Sequence, residues 1–245
     1  EEVLRVEHYT RKGSFEDVSF TLYKGDVLGI TGLLGSGRGE IADALFGITP
    51  AESGKVYLHG KEVHIKSIDD AIHHKIGYVP EDRLTQGLFL DLSIQENTVA
   101  ASISKYMRKG KVNTAIMQSD TMEWIRKIGC VVSSPKAKIR TLSGGNAQKM
   151  VIAKWLNAEP EILILNGPTV GVDVGAKADI HKILHNLAEQ GVGIIIISDE
   201  ANEIVKNCNK IIVMKNGRIS NRLKSLDTDE TKLTSLVNGE WGEGV

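Results

Sequence analysis

The chain has 245 residues, 41% of them apolar and 25% charged, the make-up of an ordinary globular protein with room for one large domain or a core plus a small subdomain. A net charge of −1 leaves no electrostatic footprint for nucleic acid or an anionic membrane surface. Two cysteines, Cys130 and Cys208, make no disulfide framework and fit a reducing compartment.

Glu1-Glu2-Val3 opens without a methionine or a signal-peptide pattern, so we expect a segment of a longer polypeptide. Val27 to Thr31 is a short apolar run of strand formers, Gly32 to Gly39 is a glycine-rich turn, and Glu40 to Phe46 has helical spacing, stopped by Gly47 and Pro50. Val56 to Ile65 alternates across Gly60 and predicts a β-hairpin. Ile76 to Val79 predicts a strand closed by Pro80. From Thr85 to Arg140 the spacing turns helical, best at Ile94–Ile103 and Met117–Ile128. Met150 to Asn157 predicts more helix. Glu161 to Leu165 and Val192 to Ile197 are aliphatic runs of the kind found in buried parallel strands, with a helix from Ala176 to Gln190 between them. None of these runs is long enough to span a bilayer. Ile211 to Ile219 reads as a hairpin turning at Asn216-Gly217, and the polar tail after Ser220 carries no clear pattern.

Strand, glycine loop and helix are the parts of a phosphate-binding P-loop. In Gly32-Leu33-Leu34-Gly35-Ser36-Gly37-Arg38-Gly39-Glu40 the glycines and the helix start suit an anion nest. Arg38 stands where that motif has lysine, and Gly39 where it has the Ser or Thr that holds Mg²⁺. A tight turn that binds nothing is the competing reading of this loop taken alone.

Thr141-Leu142-Ser143-Gly144-Gly145-Asn146-Ala147-Gln148-Lys149, set before the strand ending in Asn166-Gly167-Pro168-Thr169, resembles the signature of the ATP-binding-cassette (ABC) ATPases. Gly171-Val172-Asp173 resembles their D-loop, and Tyr78 to Arg83 sits where their Q-loop belongs. The likeness runs from about Val3 to Ser220. Pro80-Glu81-Asp82-Arg83, the arginine P-loop and Gly171 to Lys177 are similar to the second ATPase half of tandem proteins that power bacterial importers of ribose, galactose, xylose and related small sugars, autoinducer-2 included.

The resemblance implies a fold and roles. The fold is α/β: a P-loop NTPase (RecA-like) core with an antiparallel β-subdomain over 1–84 and 150–220, an inserted helical subdomain with the signature over 85–149, and a tail over 221–245. ATP or ADP is the implied ligand, held by Gly32 to Glu40. The Walker B aspartate is Asn166, the general-base glutamate is Gly167, the Q-loop glutamine is Glu81 and the switch histidine is Asp199. No catalytic position is intact, and loss of a base costs roughly 10²–10⁴-fold in rate. With Gly39 and Asn166 this half lacks its usual Mg²⁺ ligands, so we expect no metal site. The adenine-stacking aromatic has no clear equivalent; Tyr9 is nearest but reads better as strand packing.

Residues offered across a head-to-tail dimer are unaltered: Ser143, Gly144, Gly145 and Asp173. The expected protein therefore sits on the cytoplasmic face of the cell membrane and completes the site of a sibling ATPase half. It acts on permease subunits and, through them, on a periplasmic or extracellular sugar-binding protein. Leu84 to Asp91 is either the permease dock or helical-subdomain core. Two other classes compete: a regulatory or dimerisation cassette binding nucleotide weakly or not at all, and a cassette of DNA repair or translation, which the neutral charge and the lack of a coiled-coil insertion disfavour. His181 and His185 share a helix face at a metal-compatible spacing but have no third ligand nearby, and Trp124, Trp155 and Trp241 read as packing.

Overall fold

The structure is a computed structural model that describes residues 1–239; Trp241 lies outside the described residues. In chain order its strands and α-helices are β1 (Glu2–Arg11), β2 (Phe15–Tyr23), β3 (Val27–Gly32), α1 (Arg38–Leu45), β4 (Ser53–Leu58), β5 (Lys61–Val63), α2 (Ile68–His73), β6 (Ile76–Val79), α3 (Ile94–Val99), β7 (Met107–Arg108), β8 (Lys111–Val112) and α4 (Thr114–Lys127). There follow α5 (Gly144–Leu156), β9 (Ile162–Asn166), α6 (Val174–Glu189), β10 (Gly193–Ile197), α7 (Ala201–Asn207), β11 (Lys210–Lys215), β12 (Arg218–Lys224) and α8 (Glu230–Asn238). They fall into two compact units.

The first unit comprises Glu1–Tyr78, Glu161–Gly167 and the described residues from Leu184. Its main sheet has the order β12-β11-β3-β10-β9-β6, with β11, β3, β10 and β9 parallel and β12 antiparallel at one edge. Leu163 to Leu165 and Ile194 to Ile196 have no solvent exposure, which is why these strands are aliphatic on both faces. The register sets Ile197 beside Ile30 on one side and Asn166 on the other, so the ends of β3, β9 and β10 lie together. A second, antiparallel sheet has the order β2-β1-β4-β5 and includes the expected hairpin across Gly60. This is the α/β P-loop architecture with an antiparallel β-layer.

The second unit comprises Val79–Pro160 and Pro168–Ile183. The helix expected over Ile94–Ile103 ends earlier: α3 stops at Val99 and a 3₁₀ stretch follows, kinked at Ser102. The Ser102 hydroxyl accepts from Asn157 Nδ2 at 2.7 Å, and Asn157 Oδ1 takes Trp124 Nε1 at 3.0 Å and Tyr106 Oη at 3.1 Å. That buried polar knot outweighs continued helix, because each group would otherwise be buried unpaired. Lys109 and Gly110, at φ 48° and 75°, turn the short β7–β8 hairpin inside a stretch read as helical. The tail holds more order than its composition suggests: α8 is capped by Asp229, whose side chain accepts from Lys232 N, and ends at Gly239 in the left-handed region.

Candidate functional site

Among the candidate residues, Gly32 to Glu40, Asn166, Gly167 and Asp199 belong to the first unit. Glu81, Ser143, Gly144, Gly145 and Asp173 belong to the second.

In the first unit β3 runs straight into the loop and α1 leaves it, so the helix start points its free N–H groups into the turn. Gly37 caps α1 at φ 92°, and a Cβ there would strike Ser14 O at 2.6 Å, so no other residue fits. The Asn216-Gly217 turn braces the loop from outside: Gly217 N donates to Ser36 O at 3.0 Å, and Glu16 N donates to Gly217 O at 2.7 Å. The Ser36 hydroxyl is buried and unpartnered within the loop. Leu33 and Leu34 stand out from the loop, Leu34 at 95% exposure. Glu40 lies in the first turn of α1. These features suit a phosphate cradle built from backbone.

Arg38 is not poised as a free phosphate ligand. Its Nη1 donates to the Gly32 carbonyl within its own loop, and its Nη2 lies 3.3 Å from Asp199 Oδ2. Its side chain is 12% exposed, while Asp199 is 68% exposed. The two positions expected to hold Mg²⁺ face each other, since a Cβ on Gly39 would lie 3.5 Å from Asn166 Nδ2. Gly39 has no side-chain oxygen, and Asn166 brings a neutral amide where the P-loop pattern leads one to expect a carboxylate. Gly167 has φ 60°, and its N–H donates to Ile197 O at 2.8 Å.

Tyr9 is core: it is 5% exposed, stacks on Phe15 at 5.7 Å, and donates to Ala44 O at 3.3 Å. Burial pushes its phenol up to about 12. A cleft of ≈ 540 Å³ opens beside Gly35, between the β1–β2 turn and Asn216-Gly217. Its aromatic member, Phe15, is itself buried at 2% exposure.

In the second unit Ser143 caps α5 by accepting from Asn146 N at 3.4 Å, and both Ser143 and Gly144 are exposed. A Cβ on Gly145 would meet the Ala176 methyl at 2.5 Å, so glycine there lets α5 approach the start of α6. Asp173 caps that start, Oδ1 accepting from Ala176 N at 3.0 Å. Lys149, nearly buried, pairs with Asp179 at 2.6 Å, and this bond holds the Asp179 carboxyl below its ordinary range. Glu81 is exposed. The neighbouring Asp82 accepts from Leu84 N, Thr85 N and Thr85 Oγ1, fixing a tight turn over Arg83–Gly87. Arg83 then reaches the carbonyls of Val170 at 2.7 Å and Gly171 at 3.1 Å.

Sequence reasoning missed three of these ties: Asp199 on Arg38, Asn216-Gly217 under the loop, and Arg83 on residues 170–171. Only the second left a local signal, its Asn-Gly turn. Of the side readings, Trp155 is packed at 7% exposure, His181 is half-buried and His185 exposed. In the segment from Leu84 to Asp91, Leu88 is buried, whereas Leu84 and Phe89 are 50% and 56% exposed.

The family model described as "ABC transporter" matches residues 15–170, more than half of the chain. A ribose import ATP-binding protein, RbsA, of Caldanaerobacter subterraneus subsp. tengcongensis is 43% identical over 242 residues, 98% of this chain and 49% of that protein. A putative ribose/galactose/methyl galactoside import ATP-binding protein of Halalkalibacterium halodurans is 38% identical over 240 residues, covering 98% of this chain and 46% of that one. The chain thus spans about half the length of the curated relatives it matches. Among solved structures, a nucleotide-free ATP-binding cassette from an ABC transporter superposes with a TM-score of 0.83 at 21% identity, over 99% of this chain and 100% of that one. The ADP form of the cassette MJ1267 superposes with a TM-score of 0.79 at 21% identity, over 97% and 95%. The P-loop frame, the signature helix and these likenesses agree: this chain belongs to the ABC transporter family, as an ATP-binding domain.

Proposed function

We propose that this chain is the second nucleotide-binding half of a bacterial ABC importer for monosaccharides or a related small sugar. Its own hydrolytic site is degenerate, and its signature completes the site of a sibling half. The names and lengths of its relatives support the importer role and a tandem arrangement. The observation that carries the degenerate site is the facing pair Gly39 and Asn166, which has neither a side-chain hydroxyl nor a carboxylate for a metal ion. The P-loop backbone holds ATP or ADP phosphate, and the cleft beside Gly35 receives the rest of the nucleotide without an exposed aromatic to stack on. Closure on ATP is passed to permease subunits, for which Leu84 and Phe89 form an exposed apolar contact. The domain works at the cytoplasmic face of the membrane; among the described residues no helix is long and apolar enough to cross it.

A second reading, a non-hydrolytic regulatory cassette, is favoured by one feature, the Arg38–Asp199 pair that occupies the phosphate-binding arginine. Calorimetry of ATP binding with and without Mg²⁺ tests the proposal. The wild-type chain is expected to bind weakly and without regard to Mg²⁺. The double variant Gly39→Ser/Asn166→Asp, for which the 3.5 Å contact leaves room, is expected to gain about 10-fold in affinity when Mg²⁺ is added. Tight Mg²⁺-dependent binding by the wild type would overturn the degenerate-site reading.

A further inference from the structure

We propose that Arg83 is a positioning residue that sets the surface this chain lends to its sibling's nucleotide. The proposal rests on the reading above, in which Ser143 to Gly145 and Asp173 act across the dimer.

Two segments converge on this guanidinium within the second unit. Nη1 and Nη2 donate to consecutive carbonyls, Val170 O at 2.7 Å and Gly171 O at 3.1 Å. The same Nη2 lies 2.9 Å from where a Cβ on Gly144 would stand, and Gly171 O lies 3.3 Å from that point. Gly144 is therefore the gap through which Arg83 reaches the D-loop. Arg83 itself does not wander, because Asp82 caps the turn it begins. Its Nε is buried without a partner, a cost borne to keep the other two nitrogens on the carbonyls.

The geometry requires a fork. A planar guanidinium spans two adjacent carbonyls with two divergent donors, whereas a lysine ammonium on a flexible stem satisfies one of them well. Both partners are neutral, so the interaction orients the D-loop backbone rather than cancelling charge. Gly171, at φ 65°, is the pivot that this bond holds. Lys149 makes an independent tie, to Asp179 and to Gly129 O, between α5 and the body of α6. Loss of Arg83 therefore releases Val170 to Asp173 relative to the signature while the helices stay docked. Misplacement of catalytic groups by about 1 Å costs up to roughly 100-fold in rate.

The test is steady-state ATPase activity of the assembled transporter carrying the full-length ATPase protein, with Arg83→Met, Arg83→Lys, Gly144→Ala and Ser143→Arg compared. Arg83→Met is expected to lower kcat by about 10- to 100-fold with KM for ATP within about 2-fold, and Arg83→Lys to recover part of the loss. Gly144→Ala, which pushes the guanidinium aside without removing it, should reproduce the fall in kcat. If Arg83→Met does not fold, Arg83→Gln takes its place, and a wild-type kcat there overturns the proposal. Wild-type activity of Arg83→Met, with Ser143→Arg inactive, overturns the role of Arg83 and leaves the trans signature standing. Full activity of Ser143→Arg overturns the trans reading, and the proposal with it.

Discussion

Arg38 carries two opposed demands. As the cation of a P-loop it should face phosphate, yet it is bonded to its own loop carbonyl and to Asp199. An incoming phosphate must compete with that carboxylate. The pair is open to water on the Asp199 side, so its strength is that of an exposed ion pair, about 0.2–1 kcal/mol. Asp199→Ala is therefore expected to tighten ATP binding to this chain by about 2- to 5-fold, read by calorimetry. Unchanged or weaker binding would mean that Asp199 orients Arg38 rather than blocking it. Gly167 adds a backbone constraint. At φ 60° a glutamate would sit in the left-handed region at a cost of roughly 1–2 kcal/mol, so restoring the acid there also asks the strand end to reshape.

Helix α5 shows how one element is tied to several others by buried cations. Lys149 uses Asp179, but Lys154 meets no acid among the described residues: it is 7% exposed, donates to Gly87 O at 2.7 Å, and lies over the Trp155 ring at 5.1 Å. Burial pulls its ammonium down to about 8 from an ordinary 10.5. Between those values the unfolded chain keeps a proton that the folded chain has released, so this group makes stability rise with pH. The rise amounts to roughly 3 kcal/mol at most. Urea unfolding of wild type and Lys154→Met from pH 7 to 10.5 should show the difference between them moving in favour of wild type as pH climbs past about 8. A difference that does not change with pH would mean that Lys154 keeps an ordinary affinity for its proton. Elements with a periodic pattern were legible beforehand. Strands β3, β9 and β10 are plain as aliphatic runs, and α6 as an amphipathic helix. The end of α3 was not, because Ser102 is drawn off the helix by Asn157, a residue fifty-five positions away.

At the scale of the whole chain, the proposed reading has a P-loop side altered at each chemical position and a signature side that keeps its residues. A cassette of this kind has little nucleotide-driven reason to pair with itself. Gel filtration with light scattering, in ATP and Mg²⁺, is expected to give a monomer for this chain at micromolar concentration, and a dimer with the sibling half. A self-dimer induced by ATP would contradict the division of labour proposed here.

The α/β class and the family were legible in the sequence alone, because these depend on residue type at fixed local spacing. Glycines at a strand end, an Asn-Gly turn and a Leu-Ser-Gly-Gly run are legible without any partner. Only the tertiary structure could set the surroundings of Arg38, Arg83 and Gly144. Arg38 meets an acid that is distant in the chain, Arg83 meets carbonyls 87 and 88 residues on, and Gly144 leaves a space that the Arg83 guanidinium borders. The physical reason is common to all three. A hydrogen bond or a close approach between distant segments is set by how strands and helices pack, and it imposes no period on the sequence that carries it.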